Sequence, residues 1–251
     1  MKPSHAMPDI LENITLVRQR LADSAARSGR SSSDLCLLAV SKTRSAAEIR
    51  LAHRAGLQAF GENYLQEALD KMDQLQDLDL SWHFIGPLQS NKTKAVAERF
   101  DWVHSVDRLK IARRLSEQRP EHLPPLHICL QVNIDDEHSK SGVAPAAAAE
   151  LALAVAELPR LRLRGLMAIP KPQPLPAQQR RSFFRLRQLL DTLTTLSPTL
   201  AAMDTLSMGM SADLDAAIAE GSTIVRVGTA LFGPRNPGQT GDADPVHNPS
   251  H

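Results

Sequence analysis

At 251 residues the chain is long enough for one large α/β domain or two small ones, and its 42% hydrophobic and 23% charged residues exclude a fibrous or disordered protein. The balance of 29 Lys and Arg against 28 Asp and Glu leaves a net charge of +1, so no global field draws nucleic acid or an anionic membrane, and any basic site must be local. The two cysteines, Cys36 and Cys129, sit inside the apolar runs LCLLAV and HICLQV, which reads as reduced core residues rather than a disulfide framework. The start, MKPSHAMPDILENI, lacks the apolar stretch of a signal peptide, and no run of about eighteen apolar residues marks a membrane span. A soluble, cytoplasmic protein is expected.

In chain order, residues 1–9 read as a flexible leader. Ile10 to Arg27 then places Ile10, Ile14, Val17 and Leu21 at the three-to-four spacing of an amphipathic helix. Leu35 to Val40 is a short continuous apolar run, the mark of a strand covered on both faces, and a helix is predicted over 46–55. The alternation repeats, with strands over 58–61, 82–85 and 102–106 and helices over 64–76, 90–99 and 108–118. Further strands are predicted over 127–134, 163–169, 205–208 and 223–231, with helices over 145–158, 178–196 and 212–220 between them; Gly221 is suited to end the last helix. Eight strands alternating with helices give a (β/α)8 TIM barrel over 10–233. The competing open, doubly wound sheet lacks a Gly-rich fingerprint after its first strand. The Pro- and Gly-rich remainder, 234–251, reads as a flexible tail.

Chemistry concentrates at the carboxyl ends of the strands, where barrel enzymes keep their sites. Lys42 follows LCLLAVS. Apolar neighbours would favour its free amine, able to attack an aldehyde, while a lysine reaching from a strand end to solvent fits the same position. After the seventh predicted strand, Ser207, Gly209 and Ser211 precede a helix, and Gly228 and Thr229 offer close backbone approach and a hydroxyl near the end of the eighth. Together they make a phosphate cup; taken singly they are caps and turns. Arg226 alternates in register with Gly228, and its guanidinium needs a partner: a pyridine nitrogen, a carboxylate or a neighbouring strand. Asn63 in FGENY is placed to meet a phenolic oxygen. His83 in WHFIGPLQSNK is placed beside a ring, or else is a satisfied core histidine; Gln89, Asn91 and Lys92 follow it on the same face. Lys140 in DEHSKSG lacks P-loop spacing and reads as a surface lysine. The nuclei of zinc hydrolase, serine hydrolase and dinucleotide sites are missing, so no metal is expected.

The ordered set AVSKT, FGENYLQE, WHFIGPLQSNK, VNIDDEHSKSG, RGLMAI, LSMGMSADLDAAIAEGST and VRVGTALFG, from about Leu11 to Gly233, closely resembles the pyridoxal phosphate homeostasis protein family. The resemblance implies the barrel of the alanine racemase N-terminal domain and pyridoxal 5′-phosphate held as a Schiff base on Lys42. It implies phosphate contacts on Ser207 to Ser211 and on Gly228 and Thr229, and a pyridine-nitrogen contact on Arg226. It further implies a non-catalytic carrier that stores, buffers and delivers the cofactor, with transient contacts to cofactor-dependent apo-enzymes. Two features are expected to set the chain apart from alanine racemases. They use a tyrosine base assisted by a second, C-terminal domain, whereas this sequence ends soon after the eighth strand and has Tyr64 as its one tyrosine. An amino-acid racemase or lyase, or a partner-binding barrel with a structural ligand, are the alternatives; a monomer is the default.

Overall fold

The first strand sets the pattern that the others repeat. In the computed structural model, which describes residues 9–137 and 141–234, β1 (Cys36–Val40) is followed by α2 (Ala46–Arg54), and the unit recurs around a closed barrel of eight strands in sequence order, each hydrogen-bonded to the next and β8 to β1. All eight pairings are parallel. The remaining strands are β2 (Ala59–Glu62), β3 (Ser81–Phe84), β4 (Trp102–Val106), β5 (Leu126–Gln131), β6 (Leu161–Met167), β7 (Thr205–Ser207) and β8 (Ile224–Val227). Between them run α3 (Leu65–Gln74), α4 (Thr93–Arg99), α5 (Leu109–Gln118), α6 (Ala148–Ala156), α7 (Pro176–Leu196) and α8 (Leu214–Ala219). The predicted (β/α)8 barrel is the observed fold. The leader through residue 8, Lys140 and the tail from residue 235 lie outside the described residues.

Period-two alternation divides each strand between two environments. Ala39, Phe60, Phe84, Val103, Ile128, Leu166, Leu206 and Val225 point outward into a continuous apolar layer shared with Ile49, Ala68, Val96, Ile111, Leu115, Ala152, Leu186 and Ala217 from the surrounding helices. Each fully buried large side chain here contributes on the order of 1.5–3 kcal/mol. Leu38, by contrast, faces the barrel axis: a Cβ on Gly61 would meet its Cδ2 at 3.3 Å and Ile85 Cδ1 at 3.1 Å.

α1 (Ile10–Arg27) stands outside the alternation. Asp9 caps it by accepting from the N–H groups of Leu11 and Glu12, and Ile10, Ile14, Val17 and Leu21 form its buried stripe. The stripe lies on α8 and α9 (Thr229–Phe232), so the first helix covers the last units of the barrel. Asn13 Nδ2 donates to Leu231 O at 3.0 Å, and Arg20 Nη2 pairs with Asp215 at 2.6 Å.

Two strands, β8 and β5, stop several residues short of what the sequence suggests. The run predicted to be a strand over 223–231 splits after Val227, where Gly228 (ψ −75°) turns the chain into α9. Leu231 and Phe232 are buried as helix residues beneath α1, which is why the apolar pattern continues. β5 stops at Gln131; Val132 makes only an isolated bridge to Val143. No helix among the described residues is long and apolar enough to cross a membrane.

Candidate functional site

Strand register gathers most of the predicted site at the C-terminal mouth. Leu38 pairs with Arg226 and Val40 with Gly61, and Ser41 N donates to Gly61 O at 3.0 Å. Lys42 and Asn63 therefore leave adjacent strands at matching heights, both partly buried. On the other side of β1, a Cβ on Gly228 would lie 3.3 Å from Val40 O. Arg226 N donates to Gly209 O at 3.0 Å, which places Gly209 beside β8.

The segment bearing Lys42 is held from behind by a buried ionic cluster that sequence reasoning missed. Lys71 Nζ, on α3, donates to Ser41 O at 2.7 Å, Glu62 Oε1 at 2.8 Å and Glu67 Oε1 at 2.5 Å. Ser41 Oγ also donates to Glu62 Oε1, at 2.6 Å, and Thr43 N to Glu67 Oε1, at 2.5 Å. Burial pushes the Glu62 carboxyl up, and the Lys71 ammonium opposes that rise. Thr43 itself is in the left-handed region at φ 63°. For a β-branched residue this conformation costs about 1–3 kcal/mol and persists only where the surroundings impose it. The cluster therefore fixes the backbone on both sides of Lys42. A signal was present in the sequence: Ala68, Lys71 and Met72 share one buried helical stripe, so Lys71 had to point inward.

Arg226 lies inside the barrel at 4% exposure. Its Nη1 donates to Ser207 O at 2.5 Å and to Ser207 Oγ at 2.8 Å, and its Nη2 to Ala168 O at 2.9 Å. Burial lowers its pKa to about 10, which leaves it charged at neutral pH. Ser207 thus turns toward the barrel axis, where it also meets His104 Nδ1 at 2.7 Å. His83 sits in the same interior: its Nδ1 is 2.9 Å from His104 Nε2, its Nε2 3.2 Å from Ser81 Oγ, and its ring stacks on Trp102. Both residues stand deeper in the barrel than Lys42 and Asn63.

The segments expected to receive a phosphate are shaped by their backbone. Gly209 has φ 93°, and a Cβ there would strike Ala217 Cβ at 2.5 Å, so the position excludes any side chain. Ser211 is partly buried and its carbonyl accepts from Arg20 Nη1 at 2.8 Å, while Thr229 is exposed as the first residue of α9. Asp213 rather than Ser211 precedes α8, and its carboxylate accepts from Met210 N at 2.6 Å.

These residues suit a ligand carrying a phosphate, a ring hydroxyl and a ring nitrogen. Asn63 Oδ1 and Thr43 Oγ1 are buried without partners among the described residues, at a cost a ligand would relieve. Among the described residues, three of the five Arg226 N–H donors are taken by Ser207 and Ala168, leaving two for a ligand. Gly86 holds Asn63 in place: a Cβ there would lie 2.2 Å from Asn63 O. A separate cavity of about 1150 Å³ opens at the opposite, N-terminal mouth, where Arg18, Cys36, Ser81, His83, Trp102 and Arg164 contribute to its lining.

Comparison with known proteins agrees with this fold. Residues 13–236 match the family model described as alanine racemase, N-terminal domain. The chain is 60% identical over 92% of its length to a pyridoxal phosphate homeostasis protein of Pseudomonas aeruginosa, covering 98% of that protein. It is 54% identical over 92% of its length to one of Escherichia coli strain K12, again covering 98%. Among solved structures, PipY of Synechococcus elongatus PCC7942 with PLP bound superposes with a TM-score of 0.79 at 38% identity, over 90% of this chain and 100% of that one. Alanine racemase from Corynebacterium glutamicum shares the fold alone, with a TM-score of 0.66 at 18% identity, over 89% of this chain and 62% of the racemase.

Proposed function

This chain belongs to the pyridoxal phosphate homeostasis protein family, and on that premise we propose that it binds pyridoxal 5′-phosphate at the C-terminal mouth and holds it as a Schiff base on Lys42. The carrying observation is the convergence of the Lys42 segment, Asn63, Gly209, Arg226 and Gly228 at one mouth, with Asn63 Oδ1 buried and unsatisfied. Lys42 Nζ attacks the aldehyde carbon, a C=N bond forms and the carbonyl oxygen leaves as water. Gly209, Ser211, Gly228 and Thr229 receive the phosphate through backbone N–H and hydroxyl groups, Asn63 meets the phenolic oxygen, and Arg226 directs its remaining N–H donors to the pyridine nitrogen. His83 and Ser207 act from the layer beneath.

The protein's role is that of a non-catalytic carrier: it stores, buffers and delivers the cofactor in the cytoplasm, as a monomer in transient contact with apo-enzymes. An arginine at the ring nitrogen disfavours ring protonation and so weakens the electron sink that carbanion chemistry requires. Tyr64, the one tyrosine of the sequence, is 55% exposed. Cys36 and Cys129 sit in the barrel wall, and burial pushes the Cys129 thiol up to about 12.

Addition of pyridoxal phosphate to the apo-protein, followed by borohydride reduction and peptide mass analysis, tests the assignment. The expected outcome is an imine absorption band and a label on Lys42; a label elsewhere, or no band, overturns it. Racemisation of L-alanine at a rate above that of free cofactor would favour an amino-acid racemase instead.

A further inference from the structure

A line of polar side chains, buried except for Ser81 at its end, runs through the barrel from Arg226 to the opposite mouth. It passes from Arg226 Nη1 to Ser207 Oγ (2.8 Å), to His104 Nδ1 (2.7 Å), through the ring to His104 Nε2 and His83 Nδ1 (2.9 Å apart), and from His83 Nε2 to Ser81 Oγ (3.2 Å). β4 and β7 are not neighbours in the sheet, so the His104–Ser207 contact crosses the interior. Ser81 and His83 line the cavity at the N-terminal mouth, where the line ends.

One charged group fixes the direction of every bond. A guanidinium can only donate, so Ser207 Oγ accepts from Arg226. The Ser207 hydroxyl hydrogen then goes to His104 Nδ1, which must be the unprotonated nitrogen. His104 carries its proton on Nε2 and donates to His83 Nδ1; His83 in turn donates from Nε2 to Ser81 Oγ. In the reverse order the Ser207 hydroxyl hydrogen would have no acceptor along this line, a buried loss of about 1–3 kcal/mol. Directed bonds of this kind require both rings to be neutral. Burial, reinforced by the neighbouring His83 and then by the positive end of the line at Arg226, keeps His104 well below the usual histidine range, and burial holds His83 at about 3.

We propose that His104, backed by His83, is a positioning residue for the cofactor site: it fixes the Ser207 hydroxyl and, through it, the plane in which Arg226 presents its remaining donors to the ring nitrogen. This rests on the pyridoxal phosphate reading above. The two backbone carbonyls that also accept from Arg226 place the guanidinium along the strand. The Ser207 hydroxyl adds the third anchor, which selects one rotation of the group.

Two measurements test this. In the apo-protein with 15N-labelled histidine, His104 should show an unprotonated Nδ1 and a protonated Nε2; the opposite tautomer, or an imidazolium near neutral pH, would overturn the proposal. In cofactor titrations, His104→Leu should weaken binding by about tenfold, the scale of one hydrogen bond, and shift the imine band. His104→Asn, whose Oδ1 stands where Nδ1 was, should restore both. Equal binding and spectra for wild type and His104→Leu would overturn it, and so would equal impairment of the Leu and Asn variants, which would mark a packing role. If His104→Leu does not fold, Ser207→Ala breaks the same link from its other partner, with the same expected and overturning results. Wild-type protein that takes up no pyridoxal phosphate sinks the underlying reading; wild type that loads beside a variant that loads identically sinks this inference alone.

Discussion

The two faces of the barrel wall are made of different chemistry. Outward, β2, β3, β5 and β7 present Phe60, Phe84, Ile128 and Leu206 to the helices, a layer closed by dispersion and water exclusion. Inward, the same wall holds His83, His104, Ser207 and Arg226, all buried and joined by hydrogen bonds. The outer face can secure the fold without reference to any ligand. The inner face sacrifices apolar packing to hold a cation at a chosen height beneath the mouth. Stability and site are thus separated by one residue along each strand.

Acidification should break the inner face first and by the largest amount. His83 and His104 have folded-state pKa values depressed below 6.5, to about 3 for His83, so between those limits the unfolded chain binds more protons than the folded one. Stability is therefore full above about pH 6.5 and falls as pH drops, by up to about 1.4 kcal/mol per pH unit for each histidine. The Glu62 and Asp101 carboxyls, both raised by burial, oppose this trend, and His127, lowered by burial to about 4, adds to it. Urea unfolding at about pH 7 and about pH 4.5 should differ by several kcal/mol; equal midpoints would show that the interior histidines already carry charge when folded.

Next comes the ionic cluster behind Lys42. Lys71→Met leaves Glu62 buried without its cation and should cost about 3–5 kcal/mol. It should also slow Schiff base formation, because Thr43 loses the carboxylate that Lys71 holds in place. On the outer face, Ile128→Ala should cost about 2–5 kcal/mol in chemical denaturation and leave cofactor affinity unchanged, since Ile128 points away from the axis. A change in affinity there would mean the two faces are not independent. The smallest effect on stability belongs to Lys42→Ala, about 1 kcal/mol or less in thermal unfolding, together with complete loss of the imine band.

The outer face was legible in the sequence because its signal is local. Apolar runs and helical periodicity placed all eight strands, and α1 has the bounds that its spacing predicts. The C-terminal mouth was legible too, since Lys42, Asn63 and Gly228 follow directly from strand ends. The interior was legible only in part: His83, Ser207 and Arg226 stood out in the sequence, but not His104 or the contacts among them. His104 lies in HSV, which reads as an ordinary strand, and only closure of the barrel brings it to Ser207, 103 residues away. Ser207 stands two residues before Gly209 and turns its hydroxyl to the axis, whereas a side chain at Gly209 would run into Ala217 on α8. Alternation could have paired His104 with His83 on the neighbouring strand; nothing in one chain could have shown which residues meet across the centre.

The helix α1 has a consequence for how the molecule forms. Its Asn13 bonds to Leu231, 218 residues later, and its Arg20 and Arg27 grip Asp215. This clasp across the seam is among the most non-local contacts in the chain, so a newly made polypeptide must keep the apolar stripe of its first helix waiting until almost all of the barrel exists to receive it. For that interval the stripe is an open ledge, and it is there that a helper protein, or a second unfinished copy, would find its hold.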